Sequence, residues 1–245
     1  MSDQDFRFSE VGHRYLEYAN PMSIAKIHAS IALMGQYKPR HILDIGAGNL
    51  YLLDQFVSTL DCDGTALELP GVTSDEAKQR YGKKITLIET DAQEYFESLS
   101  SHPFDAAICM GATHALGGFK DCLRTLQKHL PPASMIILGE GYWKQKPSAA
   151  YIEAIGGRED ELMLHHENLQ YIESLHMTPL WFSAASLDDW DHYEWQYSRA
   201  IEDFVQQNPT HPQSDAFHAK IKHWRNAVWK WGRDTMGFGI YAVRT

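Results

Sequence analysis

The chain has 245 residues, which is enough for one large α/β domain or for a domain with a lid. Its composition is 44% apolar and 22% charged, as in an ordinary globular protein, and no stretch approaches the roughly 18 apolar residues of a membrane span. The formal net charge of −10 argues against a nucleic-acid partner, because phosphate binding depends mainly on Lys and Arg. We therefore expect neither a nucleic-acid nor a membrane partner.

The N-terminal residues and the cysteines predict a cytoplasmic location. Residues 1–5 include acidic side chains where a secretory signal peptide has a basic flank and an apolar run. Cys62, Cys109 and Cys122 form no CxxC pair and leave an odd number for disulfides. Buried cysteines of this kind behave as small apolar residues in a reducing compartment.

Residues 1–39 precede the first predicted strand and have a helical pattern. Ile24, Ile27, Ile31 and Met34 recur three or four positions apart, which places them on one helix face. We expect an N-terminal helical segment that closes over the carboxyl end of the first strand.

Residues 40–140 alternate short apolar runs with helical stripes, which is typical of βαβ units and a parallel sheet. The runs are apolar throughout, as expected for strands buried on both faces. Between the second and third runs, Thr73 and Glu76 have the spacing of a capping box that opens a short helix. The five predicted strands are His41–Ile45, Gly64–Leu69, Ile85–Glu89, Phe104–Met110 and Met135–Gly139.

Residues 141–236 are rich in aromatic side chains and are predicted to form substrate-side and cap elements. They contain a strand at Thr178–Ser183 and two helices near 188–206 and 215–231, each with an apolar stripe. The chain ends on a predicted edge strand, Gly237–Arg244, within residues 237–245. We predict one α/β domain over 1–245. Its doubly wound, mostly parallel seven-stranded sheet has an antiparallel edge strand, and a helical cap is inserted before the last strand.

The segment from His41 to Leu50 is a strand that enters a glycine turn and then a helix. Gly46 and Gly48 allow a sharp turn and close approach of a ligand, and the helix that follows offers free N–H groups. A dinucleotide site has a third glycine where this chain has Tyr51, and Asp44 would lie near the pyrophosphate anion. S-adenosylmethionine has no phosphate and carries a sulfonium and an ammonium group, so an acid at Asp44 favours it.

Asp44-x-Gly46-x-Gly48 after an apolar strand resembles the first motif of class I S-adenosylmethionine-dependent methyltransferases, and the resemblance continues over residues 40–140. It implies that Glu68 binds the ribose hydroxyls, that Asp91 faces the adenine amino group, and that the end of the fourth strand lies beside the methionine portion. At the position of Leu50 many family members have a further glycine. The cofactor-binding residues implied are Asp44, Gly46, Ala47, Gly48, Glu68, Leu69, Asp91, Ala92, Met110 and Gly111.

Each cofactor residue also has a simpler interpretation. The Asp44 turn resembles an ordinary strand-to-helix connection, and Glu68 resembles a solvated strand end. Asp91 has the position of an N-cap for a helix over 92–99. Together with Met110-Gly111, however, these make four elements that occur in the order and spacing of the methyltransferase family, which favours the cofactor site.

The methyl acceptor is expected at the ends of the fourth and fifth strands. Transfer from a sulfonium is an in-line displacement that depends mainly on alignment, and it needs a base only if the acceptor must lose a proton. His114 and Glu140 are the candidate catalytic residues. The alternatives are a histidine that secures a glycine-rich loop and an exposed acid at a strand end.

Substrate-binding candidates are aromatic or charged side chains after the fifth strand and in the predicted cap. Aromatic faces can stack on a flat or cationic acceptor. The loop after the fourth strand lacks the Asn/Asp-Pro-Pro-aromatic motif of enzymes that methylate bases or glutamine, which favours a small molecule. The candidates are Tyr142, Trp143, Tyr193, Glu194 and Arg199.

The sequence predicts no metal site, because His165 and His166 are adjacent and have no ligand partner at helical spacing. Residues 111–115, 139–143 and 231–235 resemble a bacterial group of small-molecule-type methyltransferases whose acceptor is not assigned. We therefore expect methyl transfer from S-adenosylmethionine to a small molecule. The alternatives are an NAD(P)-dependent oxidoreductase, a non-catalytic S-adenosylmethionine-binding regulatory protein, and a methyltransferase acting on a macromolecule.

Overall fold

The computed structural model describes residues 6–99 and 103–245. Its strands form one seven-stranded sheet in the order β3-β2-β1-β4-β5-β7-β6. The first five strands pair in parallel, and β6 pairs antiparallel with β7. The strands are β1 (His41–Ile45), β2 (Asp63–Glu68), β3 (Ile85–Glu89), β4 (Ala106–Met110), β5 (Met135–Trp143), β6 (Thr178–Ala184) and β7 (Met236–Arg244).

The helices follow the predicted stripes. Short 3₁₀ turns cover Thr113–Leu116 and Glu159–Glu161, and a π-helical turn covers Val228–Gly232. The helices are α1 (Phe8–His13), α2 (Ile24–Gly35), α3 (Tyr51–Leu60), α4 (Asp75–Tyr81), α5 (Ala92–Ser98), α6 (Phe119–His129), α7 (Ala149–Ile155), α8 (His165–Ser174), α9 (Leu187–Gln207), α10 (Ser214–Ala227) and α11 (Arg233–Thr235). The predicted α/β sheet architecture is confirmed.

Three local predictions need correction. The strand β5 continues through Glu140 to Trp143, so the residues expected to follow that strand lie within it. The last strand, β7, lies between β5 and β6, and β6 is the edge strand of the antiparallel pair. The N-cap of α4 is Ser74, whose side chain accepts a hydrogen bond from the Ala77 backbone, so the predicted Thr73–Glu76 capping box is wrong by one residue.

The chain divides into two compact units, which we call the sheet unit and the helical unit. The sheet unit comprises residues 23–142, 165–184 and 238–245. The helical unit comprises the described part of residues 1–22 together with 143–164 and 185–237. That residues 1–245 form one domain, with the segments 1–39, 40–140, 141–236 and 237–245 given above, stays a prediction.

The sheet unit has its core on the inner strands. Ile42, Leu43, Ile108 and Ile137 have no exposed surface, because these strands are covered on both faces. From α2, the predicted stripe contributes buried Ile27, Ile31 and Met34, whereas Ile24 is exposed. Cys62, Cys109 and Cys122 are free thiols buried in this unit.

The helical unit is held together by aromatic and aliphatic packing between helices. One cluster joins α1, α9 and α10 through Val11, Ile201, Phe204, Phe217 and Ile221. The helix α9 begins at a capping box. The Ser186 hydroxyl accepts a hydrogen bond from the Asp189 backbone N–H, and the Asp189 side chain accepts one from the Ser186 backbone N–H. The apolar stripes of the two late helices are therefore packing surfaces. Across residues 6–99 and 103–245, no helix combines the length and apolarity that a membrane crossing requires.

Candidate cofactor and acceptor site

The carboxyl end of β1 buries the carboxyl group of Asp44, one oxygen of which has no hydrogen-bond partner among the described residues. Asp44 is the fourth residue of β1 and is 1% exposed. Its Oδ2 accepts no hydrogen bond from residues 6–99 or 103–245. Burial, and then the charge of Glu68, raises the pKa of Asp44 well above its usual range. A buried carboxylate of this kind costs free energy unless a cation or donor reaches it.

The turn after β1 leaves space beside it. Gly46 and Gly48 have φ values of +69° and +54°, in the left-handed region that favours glycine. A Cβ on Gly46 would lie 2.3 Å from the Cβ of Ala112 in the loop after β4, whereas a Cβ on Gly48 would meet nothing within 4 Å. Ala47 is buried between them. The turn therefore packs against one loop and is open at Gly48.

Leu50 adopts the conformation that a glycine would favour at this position. Its φ is +66°, and its side chain is 1% exposed. A left-handed backbone costs a non-glycine residue about 1–2 kcal/mol, whereas burying a leucine side chain contributes about 1.5–3 kcal/mol. Burial of the Leu50 side chain therefore offsets the backbone strain. Although Leu50 replaces the glycine that many family members have, the backbone at this position is still left-handed.

Glu68 ends β2 and faces the glycine turn. Its Oε2 accepts from the Gly48 N–H at 2.8 Å, and its Oε1 accepts from the Leu69 N–H at 2.8 Å. Each carboxylate oxygen has about two lone-pair positions, so each can accept one further donor. Leu69 and Val72 follow, and they are 51% and 38% exposed. Two acceptor positions thus lie next to an apolar surface.

Asp91 is the N-cap of α5, as its simpler interpretation predicts. Its Oδ1 accepts from the backbone N–H groups of Gln93 at 2.8 Å and Glu94 at 3.2 Å. Ala92 is buried at the start of the helix, and Asp91 is exposed. Because both bonds use Oδ1, the capping role and a contact from Oδ2 to a ligand are compatible.

A carboxylate inside β5 connects that strand to the loop after β4. Met110 ends β4, and Gly111 follows with a φ of +72°. The Thr113 hydroxyl donates to Oε2 of Glu140, and the Gly141 N–H donates to its Oε1 at 2.9 Å. Burial raises the pKa of Glu140, and these two hydrogen bonds oppose the shift. Glu140 is therefore held in one orientation beside the loop after β4.

His114 and Tyr142 lie in different surroundings. His114 is exposed in the 3₁₀ turn that begins with Thr113. Tyr142 is 8% exposed, and its ring centroid lies 5.4 Å from that of His165. The His165 ring bonds to the Tyr241 hydroxyl at 3.0 Å. Tyr142 is thus part of a packed aromatic group, and its role in substrate binding stays a prediction.

The other four substrate candidates belong to the helical unit. Trp143 is 4% exposed and donates to the Glu159 carbonyl at 2.9 Å. The Tyr193 hydroxyl bonds to the His13 ring at 3.0 Å, and Glu194 accepts from the Trp224 indole at 2.8 Å. Arg199 is exposed and pairs with Asp203 at 3.6 Å. Their roles toward a substrate stay predictions.

Two threonines at the site were not identified from the sequence as site residues. Thr73 donates from its hydroxyl to the Gly48 carbonyl at 2.7 Å, and Thr113 holds Glu140. Their partners lie 25 and 27 positions away in the chain, so no local spacing indicates either bond. Over the described ranges, no group of three His, Cys, Asp or Glu side chains is arranged to hold a metal ion.

The strand order, the acid–glycine turn after β1 and the acid at the end of β2 define the class of fold. The chain has the class I S-adenosylmethionine-dependent methyltransferase fold. The predicted fold resemblance is therefore confirmed. No protein-family model matches the chain.

Particular proteins extend this likeness over nearly the whole chain. A methyltransferase from Geobacter sulfurreducens, crystallised with S-adenosylhomocysteine, superposes with a TM-score of 0.86 at 22% identity and covers 99% of each chain. One from Thiobacillus denitrificans, also with S-adenosylhomocysteine, has a TM-score of 0.86 at 22% identity and covers 98% of each chain. The Escherichia coli (strain K12) protein YjhP is 26% identical over 250 residues, covering 97% of this chain and 96% of YjhP.

Proposed function

We propose that the chain binds S-adenosylmethionine at the carboxyl ends of β1–β4 and transfers its methyl group to a small molecule. The observation that supports this most is the buried Asp44 carboxylate, whose Oδ2 has no donor in the described residues. An ammonium group would supply the missing donor and charge. The pyrophosphate of a dinucleotide would instead place a second anion beside Asp44 and Glu68, which disfavours an NAD(P)-dependent oxidoreductase.

The remaining residues fit the other parts of the cofactor. The two acceptor positions on Glu68 suit the two ribose hydroxyls, and exposed Leu69 suits the face of the adenine. Asp91 can accept from the adenine amino group through Oδ2, next to Ala92. Gly48 leaves room for close approach of the cofactor, with Gly46 and Ala47 beside it in the turn, and Met110 with Gly111 is proposed to border the methionine portion.

The cofactor supplies an electrophilic methyl group on a sulfonium. The contribution of the chain is to align the acceptor with that group and to exclude water, since displacement at a methyl group depends on geometry. Glu140 is the proposed proton acceptor, because its fixed carboxylate has a raised pKa and lies beside the loop after β4. His114, exposed in the same loop, is the second proposed proton acceptor.

The acceptor is proposed to be a small molecule, and the protein is proposed to work in the cytoplasm. The net charge of −10 disfavours a nucleic-acid substrate, and the aromatic content of residues 141–236 suits a flat or cationic molecule. The proposed substrate-binding side chains are Tyr142, Trp143, Tyr193, Glu194 and Arg199.

Calorimetry of the full chain tests the cofactor. We expect binding of S-adenosylhomocysteine and S-adenosylmethionine and no binding of NAD. Binding of NAD without binding of either sulfur compound would overturn the proposal in favour of an oxidoreductase.

Methyl transfer separates an enzyme from a binding protein. The chain is incubated with methyl-labelled S-adenosylmethionine and, in separate reactions, with a metabolite extract, total RNA and total protein. We expect label in the small-molecule fraction, and much less label there with Asp44→Asn. Label only in RNA or protein would identify a macromolecular substrate, and binding without any transfer would favour a regulatory protein.

A further inference from the structure

Both polar backbone groups of Gly48 are bound by side chains, one from the end of β2 and one from the loop that follows β2. The Gly48 N–H donates to Glu68 at 2.8 Å, and the Gly48 carbonyl accepts from the Thr73 hydroxyl at 2.7 Å. Gly48 itself has a φ of +54° and an open side. One flexible residue is thus fixed from two directions by residues five positions apart in the chain.

The segment that carries Thr73 is itself fixed. The Gly71 N–H donates to Glu89 at 3.2 Å, at the end of β3, and the Val72 N–H donates to the Leu69 carbonyl at 3.3 Å. Thr73 is 4% exposed, and Ser74 then caps α4. The Thr73 hydroxyl therefore connects an ordered loop after β2 to the turn after β1.

We propose that Thr73 is a positioning residue for the cofactor and acts through Gly48. It holds the turn after β1 and the loop after β2 as one surface, so that Asp44 and Glu68 bind one ligand together. This inference rests on the proposed function. Without the hydroxyl, the glycine peptide can rotate, because glycine has the least restricted backbone. The ligand must then order that peptide when it binds, which weakens affinity.

The experiment measures S-adenosylhomocysteine binding by calorimetry for the wild type, Thr73→Val and Thr73→Ser. Valine keeps the shape and removes the hydroxyl, whereas serine keeps the hydroxyl. We expect Thr73→Val to weaken binding about fivefold, the value of one hydrogen bond, and Thr73→Ser to restore most of it. Thr73→Ala replaces Thr73→Val if the latter does not fold.

Thr65→Val is the matched control. Thr65 is also 4% exposed, lies in the same unit, and its hydroxyl makes one side-chain hydrogen bond, to His41 at 2.8 Å, near the amino ends of the strands. We expect a similar loss of thermal stability in Thr65→Val and Thr73→Val, with affinity lost only in Thr73→Val.

The outcomes separate this inference from the proposed function. If the wild type does not bind S-adenosylhomocysteine, the proposed function fails and this inference fails with it. If the wild type binds and Thr73→Val binds equally well, the positioning role alone is overturned. Equal loss of affinity in Thr65→Val, or no recovery in Thr73→Ser, also overturns it, because general destabilisation would then explain the effect.

Discussion

Each unit of the molecule has a deeply buried acid among its described residues, Glu194 in the helical unit and Asp44 in the sheet unit, and the two acids differ in their hydrogen-bond partners. In the helical unit, Glu194 is 7% exposed and accepts from the Trp224 indole at 2.8 Å. Burial raises the pKa of Glu194 to about 7, and the Trp224 bond opposes the shift. In the sheet unit, Asp44 is more deeply buried, and its Oδ2 accepts from no residue of the described ranges.

This difference in hydrogen-bond partners supports the proposed role of Asp44 in binding a ligand. Glu194 is bonded within the helices of its own unit, and its contact with a substrate stays a prediction, so its raised pKa by itself identifies no site. An acid left without a donor at the carboxyl end of a parallel strand lies where such sheets bind ligands. A raised pKa is common to both acids, and what supports Asp44 as part of the proposed cofactor site is the missing donor at its Oδ2 among the described residues.

The largest expected effect tests the packing of the helical unit. Phe204→Ala removes a side chain that is 3% exposed in the cluster of α1, α9 and α10, and should cost about 3–5 kcal/mol of unfolding free energy. Urea unfolding followed by tryptophan fluorescence measures it, because the helical unit contains all the tryptophans except Trp181. Phe204→Leu is the control and should lose less than half as much. A loss of less than about 1 kcal/mol for the alanine variant would mean that the cluster does not stabilise the unit.

The second prediction concerns the acid without a partner. Asp44→Asn should weaken S-adenosylhomocysteine binding about 10- to 100-fold, because a hydrogen bond to a charged group contributes about 1.5–3 kcal/mol. The same variant should raise the thermal midpoint of the ligand-free protein. The folded pKa of Asp44 is raised, so its contribution to stability is complete below the unfolded pKa and is lost as pH rises through the folded pKa.

Asp63→Asn is the control for Asp44→Asn. Asp63 is exposed and lies at the opposite end of β2 from Glu68, so the same change in charge should leave affinity and midpoint unaltered. Unchanged affinity in Asp44→Asn, or a lower midpoint, would contradict the role given to Asp44.

The third prediction uses the pH dependence of the helical unit. The folded pKa of Glu194, about 7, lies above its usual 4.5, so its contribution is present below about pH 4.5 and is lost as pH rises through 7. Between about pH 5 and pH 8, Glu194→Gln should gain about 2–3 kcal/mol of stability relative to the wild type. Urea unfolding of both proteins at each pH measures this, and parallel pH profiles would show that Glu194 is not held in a perturbed state.

The smallest expected effects compare helix caps in the two units. Ser186→Ala in the helical unit and Ser74→Ala in the sheet unit each remove a side-chain bond to the first turn of a helix, and each should cost about 1 kcal/mol. Glu76→Ala is the control, since Glu76 is exposed and Ser74 is the N-cap of α4. If thermal unfolding shows equal losses of stability in Ser74→Ala and Glu76→Ala, the Thr73–Glu76 capping box expected from the sequence would be favoured over a cap at Ser74.

Much of the sheet can be predicted from local pattern, and the same pattern names the candidate cofactor residues, whose role stays a prediction. The bounds of β1 and β3 agree with the predicted apolar runs. The strand β1 is buried from its second residue to its last, as expected for an inner parallel strand, whereas β3 lies at the edge of the sheet and is only partly buried. The extension of β5 to Trp143 could not be predicted, because Gly139 and Gly141 resemble a loop in the sequence. That β7 is not the edge strand could not be predicted either. It is covered on its outer side by β6, which lies more than fifty residues earlier in the chain.

The sequence by itself determined the alternation of strands and helices and the acid–glycine turn at Asp44, Gly46 and Gly48. It also determined that Tyr51 stands where a dinucleotide-binding fingerprint has its third glycine. These follow from neighbouring residues, since propensity, periodicity and turn chemistry act over a few positions. Only the tertiary structure decided which polar groups of the site have hydrogen-bond partners. Glu68 and Thr73 reach Gly48, and Thr113 reaches Glu140, across 20 to 27 residues, because parallel crossovers bring the carboxyl ends of the strands to one edge of the sheet.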